Sequence, residues 1–181
     1  SSKMLPDKIG LIRLSMFNEK TAAEFYKQYE ALEAQGMKAT ILDLRDNPGG
    51  LLDSSVKVSN KIVPKGTVVS VVTRDGQTEV HRWNLDKVKY PLAVLINGGS
   101  ASASEIVAGA VQDTAAGTLI GVKTFGKGSV QSILKLTNDT AIKLTIAKYA
   151  TPKDRFINGV GIEPDLKVEN PEPKGDAASR P

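Results

Sequence analysis

The chain has 181 residues, 40% of them hydrophobic and 24% charged, which suits one globular domain with an adequate aliphatic core. Its net charge of +4 is spread over interspersed Lys, Arg, Asp and Glu with no dense basic run, which argues against nucleic-acid binding. Cys is absent and His81 is the single histidine, so disulfides, thiolate metal sites, a Cys nucleophile and a multi-His metal centre are excluded.

Residues 9–14 read as a short apolar strand. Asn18 is placed to cap a helix over 21–34, whose Ala22, Phe25, Tyr29 and Leu32 recur at helical spacing before Gly36. A second strand over 38–44 runs into the turn Arg45-Asp46-Asn47-Pro48-Gly49-Gly50, and a helix is predicted over 51–62. The β-branched run 67–73 and residues 79–83 form a hairpin about Asp75-Gly76. Residues 92–96 are a buried-type strand, followed by Asn97-Gly98-Gly99, a helix over 102–113 and a strand over 118–122. Residues 129–136 and 141–149 read as strands joined by an Asn138-Asp139 turn.

The alternation of strand and helix predicts an α/β fold with a largely parallel sheet, plus C-terminal β-hairpin strands. The domain is expected over 1–168, and the Pro-, Glu- and Lys-rich residues 169–181 read as a disordered tail. No stretch approaches the ~20 apolar residues that span a membrane. No targeting segment is legible, and the Ser at position 1 suggests a piece of a longer chain.

Three segments carry chemistry. In the first, Asn97 to Glu105, three serines (Ser100, Ser102, Ser104) lie between a buried strand and a helix. Such a junction exposes side chains at the sheet's carboxyl edge, beside helix N–H groups that favour a developing anion. Ser102 to Glu105 also fits the S-x-x-E capping box, which accounts for Ser102 without catalysis. On these residues alone all three serines remain candidates.

The second segment, Gly121 to Gln131, nearly matches the phosphate-binding loop G-x-x-x-x-G-K-[ST]. Gly128 stands where Ser or Thr should hold magnesium, and the following residues alternate like a strand, so nucleotide binding is disfavoured. A lysine acts as a base only as the neutral amine. Apolar surroundings or a nearby cation such as Lys123 favour that form, and a carboxylate opposes it. Residues 114–138 contain no Asp or Glu, and Gln131 offers an uncharged amide to orient the amine of Lys127. The third segment, Asp43 to Gly50, presents consecutive glycines whose bare N–H groups suit an oxyanion, with Asp43 and Arg45 as an ion pair holding the turn. His81, in a hairpin strand, has no catalytic neighbour.

Taken together, DLRDNPGG (43–50), NGGSASASEIVAGAVQD (97–113), TFGKGSVQ (124–131) and GVGIEPD (159–165), with the opening residues 3–14, resemble the C-terminal processing, or tail-specific, serine proteases. The resemblance implies a crotonase- and Clp-protease-like core. It implies a Ser-Lys dyad of Ser102 and Lys127 assisted by Gln131. An oxyanion hole is implied at the amides of Gly49, Gly50 and Ala103. It implies protein or peptide substrates with apolar C-termini, no cofactor, and an extracytoplasmic setting in periplasm, cell envelope or lumen. Family members usually carry a PDZ domain and flanking helical segments, and no segment here resembles a PDZ domain. A non-catalytic ligand-binding module of the same fold is the alternative that the resemblance leaves.

Overall fold

The computed structural model describes residues 1–136 and 140–169. The expected turn at Asn138-Asp139 and the expected tail beyond 169 lie outside the described residues. No described helix is long and apolar enough to cross a membrane.

The elements follow in chain order: β1 (Ser2–Leu5), β2 (Ile9–Arg13), α1 (Thr21–Ala34), β3 (Ala39–Asp43), α2 (Leu52–Ser59), β4 (Gly66–Thr73) and β5 (Thr78–Trp83). After these come β6 (Leu92–Ile96), α3 (Ala103–Asp113), β7 (Thr118–Gly121), β8 (Ser129–Lys135), β9 (Ala141–Ala150) and β10 (Leu166–Lys167). The first sheet runs β1-β2-β3-β6-β7-β10. It is parallel except for the antiparallel edge strand β1.

Asn18 does start α1: its Oδ1 accepts the amides of Lys20 and Thr21 at 2.9 and 3.1 Å. The crossovers β2-α1-β3, β3-α2-β6 and β6-α3-β7 each step one place in the same direction across the sheet. Right-handed crossovers stepping one way put every helix on one face. The strands show it, because buried and half-buried residues alternate along β2, β3 and β6. Leu42, Val94 and Ile96 point into the core and are fully buried, each stabilising the fold by roughly 1.5–3 kcal/mol.

The second sheet, β5-β4-β9-β8, is antiparallel and packs β4 over α2 and α3. Helix α3 is therefore held between two sheets, which explains why Ala103 to Val111 are all buried. The late strands β8 and β9 pair antiparallel as the expected hairpin, and β9 joins that hairpin to β4 through Ser70↔Ala150 to Thr73↔Ala147. The helix expected over 51–62 ends at Ser59. Residues 60–63 turn inward instead, burying Ile62 and Val63.

Candidate active site

The carboxyl ends of β3, β6 and β7 lead into three loops, 44–51, 97–102 and 122–128, and hydrogen bonds knit these loops together. Asn47, fully buried, donates from Nδ2 to the Leu14 carbonyl at 2.9 Å. Its backbone carbonyl accepts the Ala101 amide at 3.0 Å and the Ser104 hydroxyl at 2.9 Å. Asn97 Oδ1 accepts the amides of Asp46 and Gly99 at 2.9 and 3.0 Å. Asp43 grips Arg45 bidentately at 2.9 and 2.8 Å. Burial pushes the Asp43 carboxyl up, but the bonds from Arg45 and the charges of Arg45 and Arg13 outweigh it and hold it below the usual carboxylate range. The expected ion pair is therefore present and fixes the turn after β3.

This network separates the three serines. Ser100 is fully buried, with its hydroxyl donating to the Leu44 carbonyl at 2.8 Å and accepting the Asn97 amide at 3.0 Å. Ser104 is equally buried and spends its hydroxyl on Asn47. Ser102 alone is partly exposed, in a conformation (φ 53°, ψ −113°) that non-glycine residues rarely adopt. Strain of this kind persists where the surroundings over-determine it.

The constraint on Ser102 comes from Glu105, whose side chain is fully buried. Glu105 Oε2 accepts the Ser102 amide at 2.8 Å, the carboxylate half of the anticipated capping box, and also the Lys127 amide at 2.8 Å. One oxygen thus holds both backbones, so the two nitrogens lie less than ~6 Å apart. Oε1 accepts the Thr124 hydroxyl at 2.6 Å and the Gly126 amide at 2.7 Å. Four donors on one buried carboxylate compensate its desolvation.

The late GVGIEPD segment clasps the same loop. Thr124 Oγ1 accepts the Ile162 amide at 2.7 Å, and the Gly159 amide donates to the Gly126 carbonyl at 2.8 Å. A Cβ on Gly128 would sit 2.4 Å from the Asn158 nitrogen, so only glycine lets the two segments meet.

Lys127 is exposed, and no carboxylate forms an ion pair with its ammonium among the described residues. Two expectations about its surroundings change. Lys123 pairs with Glu163 at 3.0 Å, so its charge is compensated locally. The carboxylate-free stretch 114–138 also acquires a carboxylate in space, because Glu105 arrives from α3 against the Lys127 backbone. Gln131 lies on β8, exposed, opposite Thr145 and next to a bulge at Val130/Gln131. Residues 122–128 form no helix and lead into β8, which is not the geometry of a phosphate-binding loop.

The glycine turn abuts the serine. A Cβ on Gly49 would lie 2.7 Å from Ser102 Cβ and 2.8 Å from the Ala103 nitrogen. The two glycines differ, however. The Gly49 amide is buried and donates to Asn47 Oδ1 at 2.9 Å, so it is not free for a ligand. Gly50 is exposed, and no acceptor among the described residues takes its amide or that of Ala103. Gly49→Ala should therefore lower the melting temperature and disorder the serine turn, since φ is 98° and Ala101 O would be 2.6 Å from the new methyl. Gly36→Ala is the control: φ is 83° with nothing within 4 Å, and the backbone strain alone should cost about 1–2 kcal/mol. Paired thermal melts check this, with Gly49→Ala expected to be clearly the worse.

His81 lies on β5, the opposite edge of the second sheet from β8, about 14 Å away at ~4.8 Å per strand. It approaches Glu79 at 3.4 Å. Among the described residues no cluster of three or more acidic or histidine side chains could hold a metal ion.

Residues 8–168 match the model of peptidase family S41. A carboxyl-terminal-processing protease of Synechocystis sp. is 45% identical over 164 residues, covering 90% of this chain and 38% of that protein. A carboxy-terminal-processing protease of Bartonella bacilliformis is 45% identical over 174 residues, covering 92% of this chain and 40% of the relative. Among solved structures, the photosystem II D1 C-terminal processing protease superposes with a TM-score of 0.84 at 34% identity, covering 92% of this chain and 45% of that one. The tricorn protease, at 19% identity and a TM-score of 0.59, shares the fold. The chain thus spans less than half the length of these relatives. With the family model matched across nearly all the described residues, the chain belongs to peptidase family S41.

Proposed function

We propose that this chain is the catalytic core of a serine endopeptidase that processes proteins or peptides near apolar C-termini, with Ser102 as nucleophile and Lys127 as base. The neutral Lys127 amine takes the Ser102 Oγ proton as Oγ attacks the scissile carbonyl carbon. The resulting oxyanion is held by the free amides of Gly50 and Ala103, each such donor typically supplying ~3–4 kcal/mol. The Lys127 ammonium gives its proton to the leaving nitrogen, the C–N bond breaks, and an acyl-enzyme remains on Ser102. Water then attacks the ester, Lys127 takes the water proton, and Ser102 leaves with it. Gln131 orients the Lys127 amine. An extracytoplasmic setting belongs to the same reading.

The observation that supports this reading is the shared Glu105 Oε2, which brings the Ser102 and Lys127 backbones together at the sheet's carboxyl edge. Hydrolysis of an internally quenched peptide with an apolar C-terminus tests it. The unsubstituted protein and His81→Ala should cleave at rates within about two-fold of each other, surface substitutions being near-neutral. A collapse of turnover in His81→Ala would point to a histidine mechanism instead.

A further inference from the structure

The two free amides beside Ser102 come from different loops: Gly50 follows β3, and Ala103 opens α3. Two N–H groups stabilise one oxygen only when both point at it from about 2.7–3.1 Å, so the loops have to keep their relative placement to about 0.5 Å. Gly50 sits at φ 140°, a conformation that glycine leaves as readily as it enters. Something outside the glycine turn has to hold it there.

Asn47 does so through both its side chain and its carbonyl. Pro48 has no N–H, so the first amide along the chain that the Asn47 side chain can take is that of Gly49. Oδ1 accepts it at 2.9 Å, which closes the turn and removes the Gly49 amide from competition with that of Gly50. Nδ2 donates to the Leu14 carbonyl at 2.9 Å, just beyond the end of β2. The Asn47 carbonyl reaches the other loop, where it accepts the Ala101 amide at 3.0 Å and the Ser104 hydroxyl at 2.9 Å. Residues 101 and 104 bracket Ser102 and Ala103. Asn47 and Ser104 are fully buried, so a lost bond leaves a polar group that water does not reach.

Two other residues tie the same loops, but further from Gly50. Ser100 donates to the Leu44 carbonyl, and Asn97 accepts the Asp46 amide. Nearer the donors there is no slack: a methyl on Gly49 would lie 2.8 Å from the Ala103 nitrogen, so a shift of the turn passes directly to Ala103.

We infer that Asn47 is the positioning residue of the oxyanion hole, aligning the Gly50 and Ala103 amides on one oxygen without touching substrate. The inference rests on the proposed serine-protease reading, which supplies the oxyanion.

The test reads an affinity, which loss of folded protein does not change. A peptide aldehyde bonds its carbonyl carbon to Ser102 Oγ, the hydroxyl proton passes to Lys127, and the aldehyde oxygen becomes the anion at the two amides. In Asn47→Ala, kcat per fluorophosphonate-titrated site should fall about 10²-fold with KM within about two-fold, and the aldehyde Ki should rise in step. Asn47→Ser keeps an oxygen for the Gly49 amide but does not reach Leu14, and should recover about ten-fold of that loss. Ser104→Ala frees the Asn47 carbonyl from α3 while leaving the turn intact, and alanine suits a helix, so it carries the test even where Asn47→Ala does not fold. It should raise the Ki about five- to ten-fold.

An unchanged Ki in Ser104→Ala and Asn47→Ser, with activity lost only in proportion to titrated sites, would overturn the inference, because Asn47 would then hold the fold and nothing more. So would a raised KM at unchanged kcat, which would put Asn47 against bound substrate. A wrong base shows separately, as turnover that survives Lys127→Ala, while the Ki comparison among the Asn47 variants still reads the two amides.

Discussion

Ser102→Ala and Lys127→Ala should each lower kcat/KM for peptide hydrolysis by about 10⁴-fold or more, and the double variant should be no worse than either single one. Groups that act as one unit lose the whole advantage when either is removed, so the effects do not add. The folds of these variants should survive. Lys127 is exposed and Ser102 partly so, and neither truncation opens a core cavity. Alanine at 102 inherits the same left-handed φ of 53° that serine already tolerates. Melting temperatures within a few degrees of the unsubstituted protein, alongside lost turnover, separate catalysis from stability. Additive losses in the double variant would instead mean that the two side chains act independently.

Glu105→Gln should be the most damaging near-isosteric change in the site. The carboxylate accepts four donors from Ser102, Thr124, Gly126 and Lys127. An amide has one oxygen to accept with, and its NH₂ faces donors already pointing inward. Buried donors left without acceptors cost about 1–3 kcal/mol each, so a loss of about 3–5 kcal/mol is expected. The same bonds hold the serine turn against the lysine loop, so turnover should fall further than the unfolded fraction accounts for. Denaturant titration beside kcat/KM, measured where the variant is still folded, checks both. A variant with near-normal kcat/KM would show that Glu105 is a helix cap and nothing more.

Strand and helix positions are legible in the amino-acid sequence because the parallel strands alternate, α1 carries one apolar stripe and α3 a longer, nearly continuous apolar run. The placement of all three helices on one face is not, since it depends on strand order. The pairing of β9 with β4 is also hidden, because antiparallel partners some 75 residues apart leave no local signal. Ser102, Lys127 and the glycine turn stand out through their motifs. The choice among three serines needs burial: Ser100 and Ser104 are spent on Leu44 and Asn47.

Glu105 shows the limit most clearly. Its S-x-x-E spacing announces a cap and hides its reach to Thr124, Gly126 and Lys127, about 20 residues on. One clue is present: a lone carboxylate ahead of Ile106-Val107-Ala108, in a helix whose other residues before Gln112 are apolar except Ser104, has to be paired if it is buried. Likewise the Gly49 and Gly50 amides look equivalent in sequence, and only the Asn47 side chain distinguishes them.

The central claim is that Lys127 activates Ser102. The most direct measurement is intact-mass and peptide-mapping analysis after treatment with a serine-reactive fluorophosphonate. A single adduct should map to Ser102 in the unsubstituted protein and fall to background in Lys127→Ala, with His81→Ala labelling normally. An adduct on Ser100 or Ser104, or undiminished labelling of Ser102 without Lys127, would contradict the account.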